Sequence, residues 1–171
     1  MASACLLDIC SFCEAIEVLY AANHFSFRGI TGVTSFNNLV SPSCWNMLRK
    51  VHISTTFLTP MKHWMDKRGS FPRENYQDWV DGCRTLATLD DLRTLQVEIT
   101  IRDQCQSFEA NAETVEEAAL VWILNSLKLI RAVTFRVTLN IDLPPTVVIA
   151  LGDVPFQMTH HGKKYDHGNF I

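Results

Sequence analysis

Four groups of residues in this chain have types and spacing that bear on chemistry. Cys10 and Cys13 stand three positions apart, the spacing of a redox pair or of half a zinc site. Redox use requires the first thiol at a helix N-terminus, where its thiolate is stabilised. Here the helical apolar pattern runs through both cysteines, which places them on one buried face. A structural zinc needs two further ligands, and no second Cys-x-x-Cys occurs. Buried free thiols are therefore expected. His160, His161, Asp166 and His167 gather near the C-terminus. That tail is polar and contains glycine, so nothing holds the ligands in orientation and solvation is expected. His63 and Trp64 lie in a long irregular stretch with Asp66 and Lys67. Functional loops carry such residues, but a Trp there more often fills a gap in the core.

The fourth group is spread over three alternating segments: Leu48 to Thr55, Leu92 to Thr100 and Ile130 to Thr138. Each opens with an aliphatic residue followed by Arg (Arg49, Arg93 and Arg131). Alternation sends every second side chain to the same side of a strand. His52, Ser54, Gln96, Glu98, Thr100, Arg136 and Thr138 should then share one exposed face. A mixed row of donors and acceptors suits recognition of a protein surface, while plain solvation is the simpler outcome. His52 and Glu98 could form an acid/base pair, but no nucleophile accompanies them in the sequence. The phosphate-loop, serine-hydrolase elbow, zinc-protease and dinucleotide glycine motifs are all absent. The expectation is a non-catalytic protein-interaction module, with no catalytic residue, metal or cofactor. Two alternatives stand beside it. One is a small enzyme using His52 and Glu98 or the cysteines. The other is a fragment without independent function, with unpaired edges and exposed apolar helix faces.

The elements that must position these residues alternate between helix and strand. A first helix is predicted from about Ser3 to Ala22, with Ile9, Cys13, Ile16, Leu19 and Tyr20 on one face. His24 to Phe27 reads as a short strand. Ile30 to Leu39 is weakly amphipathic, and Ser41-Pro42-Ser43 is a helix-start signal. Phe57 to Pro72 is irregular. A helix from Arg73 to Leu89 carries Tyr76, Trp79, Val80, Cys83, Leu86 and Ala87 on its apolar side. Thr114-x-x-Glu117 is a capping box. It opens a helix to about Lys128, with Val115, Ala118, Ala119, Trp122, Ile123 and Leu127 buried. Asp142 to Pro145 breaks the third alternating segment. Thr146 to Leu151 is predicted as a strand, and Pro155 to Thr159 as another.

Helices between strands make crossover connections, so the strands should be parallel. A parallel sheet covered on both faces would have continuously apolar strands, and these alternate. The expected fold is α/β: repeated helix-strand units, with a parallel sheet covered by helices on one face only. Its form would be an irregular leucine-rich-repeat-like solenoid. Residues 1–160 form the single domain, and 161–171 are expected to be a flexible C-terminal tail.

Composition bounds the function. With 171 residues, 47% hydrophobic and 19% charged, the chain suits one globular domain that buries roughly 70% of its unfolded surface. A net charge of −3 argues against nucleic acid, which needs a concentrated basic face. The longest apolar run, Ala118 to Leu124, is too short for a membrane span. The first residues lack a basic signal region, and the scattered cysteines suit a reducing compartment. A cytoplasmic or nuclear protein with a protein partner is expected.

Leu6-Leu7-x-x-Cys10, followed by Glu14 to Phe27, resembles the opening motif of a large uncharacterised fungal domain family, often labelled F-box-like. Leu48 to Ser54, Leu92 to Ile99, Ile130 to Leu139 and Val154-Pro155-Phe156 fit later segments of that family. The resemblance implies a leucine-rich-repeat-like structural module and no known catalytic residue. The interval from Cys10 to Glu14 is shorter than in the family pattern, and no F-box precedes it here.

Overall fold

The computed structural model describes residues 15–59, 76–103 and 117–161. Helical residues 15–22 (α1) lead into β1 (His24–Arg28), α2 (Ile30–Leu39) and α3 (Pro42–Asn46). There follow β2 (Lys50–Thr59), α4 (Tyr76–Leu86), β3 (Thr94–Asp103), α5 (Glu117–Leu127), β4 (Thr134–Leu139), α6 (Pro145–Leu151) and β5 (Gln157–His160). The five strands form one sheet in chain order, and every neighbouring pair is parallel.

That order decides the layering. When each strand is followed by its spatial neighbour through a right-handed crossover, all connections fall on the same side. The helices do pack side by side in sequence: α2 on α4, α4 on α5, α5 on α6. On the covered side the sheet contributes Val51, Ile53 and Phe57 from β2 and Leu95, Val97, Ile99 and Ile101 from β3. Phe135, Val137 and Leu139 come from β4, and all ten are buried. The fold is thus a repeated helix-strand α/β structure with helices on one face of a parallel sheet.

Local chemistry explains several boundaries. Gly29 takes φ +83°, a conformation that suits glycine, where β1 turns into α2. Its N–H donates to the Ser54 carbonyl at 2.8 Å, extending the β1–β2 ladder. Ser41 caps α3, its Oγ accepting from the Cys44 N–H, and Pro42 starts the helix. Arg49 donates to the Asn46 carbonyl at 2.6 Å at the end of the same short helix. Beyond β4, the Asn140 side chain accepts from Ile101 N–H at 2.7 Å and donates to Ile101 O at 3.0 Å. One amide thereby imitates a further ladder residue.

Four aromatic contacts anchor the core along the sheet. Phe36 of α2 meets Phe25 and Phe27 of β1 at 5.5 Å between ring centroids. Phe57 meets Trp79 edge-on at 5.1 Å, and the buried Trp79 N–H donates to Ile123 O at 3.0 Å, joining α4 to α5. Phe135 meets Phe156 at 5.1 Å. The α2–α4 contact is tight because Gly82 has no side chain; a Cβ there would fall 2.1 Å from Cγ1 of Ile30.

The structure corrects some sequence expectations. Thr146 to Leu151 is not a strand but part of α6. Pro145 pre-sets the first helical turn. Val147 and Leu151, four apart, are buried, while Ile149 is 79% exposed. A strand would have put Val147 and Ile149 on one face; burial of an i, i+4 pair overrides the β-branched run. Leu19 is 53% exposed rather than part of a buried face. Ala118 is exposed, and Leu120 and Leu124 take places in the core. The region from Phe57 onward is not irregular from its start, since β2 continues to Thr59. The third Arg is out of step. Thr94 pairs with Thr134 and Val133 N–H donates to Leu92 O, so Val133, not Arg131, lies opposite Arg93. Cys10, Cys13, His63, Trp64, Thr114, Asp166 and His167 lie outside the described residues, as does the tail beyond His161.

Candidate functional site: the open face of the sheet

Strand register places the polar residues in rows. One row runs Ser26, His52, Gln96, Arg136, Gln157 across all five strands. The next runs Arg28, Ser54, Glu98, Thr138, Thr159. A shorter row, His24, Lys50, Thr94, Thr134, lies on the other side of the first. All of these positions are exposed or half-buried, and no apolar side chain interrupts either full row. The seven residues expected to share a face, His52, Ser54, Gln96, Glu98, Thr100, Arg136 and Thr138, do share it, with Thr100 paired to Thr56 one row beyond Glu98.

Within the grid, bonds concentrate around His52. Its Nδ1 lies 3.0 Å from Ser26 Oγ, and its Nε2 lies 3.4 Å from Glu98 Oε1. A ring protonated on Nε2 would face the carboxylate and leave Nδ1 to accept from the serine hydroxyl, so one tautomer satisfies both contacts. The second distance is longer than an ordinary N–H···O bond and is an electrostatic contact. His24 approaches His52 edge-on, ring centroids 6.1 Å apart. Farther across, Thr138 Oγ1 and Thr159 Oγ1 are 2.9 Å apart. Lys50 Nζ donates to Ala22 O at 3.3 Å. Arg28 and Arg136 make no ion pair among the described residues.

Sequence reasoning missed Ser26. It lies in the first strand, far from His52 along the chain, and only the β1–β2 register brings them together. It also missed the fifth strand's contribution, Gln157 and Thr159. Arg49 and Arg93, which look like a repeated motif, stand at the start of the sheet rather than on its open face. Arg49 reaches Asp91 at 3.4 Å, so its role is to tie a turn to a strand. His160 pairs with Asp142 at 3.0 Å. Among the described residues no group of three or more His, Cys, Asp or Glu side chains could hold a metal ion, and no helix is long and apolar enough to cross a membrane.

No curated protein and no solved structure matches the chain. A family model does match, and it covers residues 2–148, which takes in β1 to β4 and the helices between them. The chain therefore belongs to the DUF7730 family, a domain of unknown function.

Proposed function

We propose that the chain is a non-catalytic interaction module that recognises a protein partner through the open face of its sheet. The observation that carries this reading is the pair of uninterrupted polar rows across five strands. Parallel sheets are usually covered on both faces; one left open and lined with mixed donors and acceptors offers a ready recognition surface. Repeat folds that stack helix-strand units use their sheet face in this way. On this reading the architecture is an irregular leucine-rich-repeat-like solenoid. The resemblance to fungal F-box-like domains adds an intracellular protein as the partner. Affinity capture tests the proposal, with wild type compared against the His52→Ala, Glu98→Ala, Arg136→Ala triple variant. A partner retained by wild type and lost by the folded variant supports it. Identical captures count against it.

One observation favours a second reading. Ser26, His52 and Glu98 line up as hydroxyl, imidazole and carboxylate, the order used for activating a serine nucleophile. In a catalytic role, His52 Nδ1 would take the Ser26 proton as Oγ attacks an ester carbonyl. The leaving alcohol would then take that proton, and water would release the acyl group. The three residues lie on a broad sheet surface and His52 makes only a long contact to Glu98, so this reading ranks second. Turnover of an activated ester that disappears in Ser26→Ala would promote it. Equal rates for both proteins would remove it.

A further inference from the structure

The charge of the open face runs against the charge of the whole chain. Its three rows carry Arg28, Lys50 and Arg136 against a single carboxylate, Glu98, while the chain as a whole has a net charge of −3. Glu98 faces His52, whereas both arginines lack an ionic partner among the described residues. We infer that the open face takes an extended acidic peptide segment, an inference that rests on the recognition reading above.

The spacing sets the form of that segment. Strands lie about 4.8 Å apart, so Arg28 on β1 and Arg136 on β4 stand roughly 15 Å from each other across the sheet. An extended peptide advances about 3.3 Å per residue, so two carboxylates four or five residues apart reach both guanidiniums. Each guanidinium can bind a carboxylate through two parallel N–H donors. Between them lie Ser54 on β2 and Gln96 on β3, and Thr138 stands beside Arg136 on β4; their hydroxyl and amide groups both donate and accept. They are suited to the N–H and C=O groups of a peptide backbone. Glu98 repels peptide carboxylate and phosphate alike, so the peptide's carboxylates must fall at the arginines. Nucleic acid fits poorly because it carries a phosphate at every step and three dispersed cations fall short of a continuous basic track.

Fluorescence anisotropy of the full chain tests this with labelled peptides of equal length and graded net charge. The acidic peptide is expected to bind tightest, and Arg28→Gln or Arg136→Gln to weaken it about tenfold each through loss of one charge-assisted pair. Glu98→Gln is expected to strengthen acidic-peptide binding, because it removes a carboxylate that repels the peptide's own. A single-stranded oligonucleotide of equal charge binding as tightly would overturn the inference. So would no acidic binding, or acidic binding indifferent to both arginines. Neutral or basic peptides bound best, and lost in Thr138→Ala or Gln96→Ala, would overturn the acidic preference and leave the recognition surface standing.

Discussion

The two faces of the sheet are built from the same strands, residue by residue, and obey different physics. On the helix side, Val51, Leu95 and Phe135 face a closely packed layer in which loss of one methylene is felt. On the open side, Lys50, Gln96 and Arg136 stand in water, where exchanging one polar group for another costs little. The contrast teaches where selection for folding ends and room for function begins. The covered face must be apolar and shape-matched. The open face needs only solubility, so an ordered chain of contacts such as Ser26–His52–Glu98 and two arginines without ionic partners among the described residues are not required by folding.

The sharpest way to break this comparison is through the covered face. Trp79→Ala removes a fully buried ring and its bond to Ile123 O. It should cost about 3–5 kcal/mol in urea unfolding; a loss below 1 kcal/mol would mean that α4 is not packed on the sheet. Gly82→Ala comes next. Alanine favours a helix by about 1 kcal/mol, but the new Cβ would meet Ile30 at 2.1 Å. The overpacking, about 1–3 kcal/mol, should outweigh the helical gain, leaving a net loss that is less than additive with that of Ile30→Ala, which removes both Cγ1 and Cδ1. A stabilised Gly82→Ala protein would show that α2 and α4 stand farther apart.

The α6 segment sharpens the comparison at smaller scale. Val147→Ala should destabilise by about 2 kcal/mol, while Ile149→Ala, at an exposed position, should change stability by less than about 0.5 kcal/mol. Equal losses at both positions would indicate a strand. The smallest effect is expected on the open face. His52→Ala and Glu98→Gln should each stay within about 0.5 kcal/mol of wild type, with thermal melting as the readout.

Much of this division was legible in the sequence. Val51 and Ile53 alternating with His52 and Ser54 specify both the strand and its two environments, and side-chain period alone places them. Helices between such strands imply parallel pairing before any coordinate is known. The remainder depends on contacts between distant segments. Ser26 meets His52 through strand register, which β1 alone does not encode. The Thr146 to Leu151 run carries β-branched residues suited to a strand, and its packing against α5, with Pro145 at the first turn, selects the helix. Arg131 looks equivalent to Arg49 and Arg93, but the third repeat enters the sheet two residues later, which no local pattern reveals.

The most direct measurement combines stability and binding in one variant. The His52→Ala, Glu98→Ala, Arg136→Ala protein should melt within a few degrees of wild type, since a 1 kcal/mol change shifts Tm by about 2–4 °C for a domain near this size. It should also bind the acidic peptide about tenfold more weakly than wild type, through loss of the Arg136 guanidinium. A cooperative melt kept and binding weakened is the result predicted for a face dispensable to folding and used for recognition. A collapsed melt, or undiminished binding, would contradict that separation of the two faces.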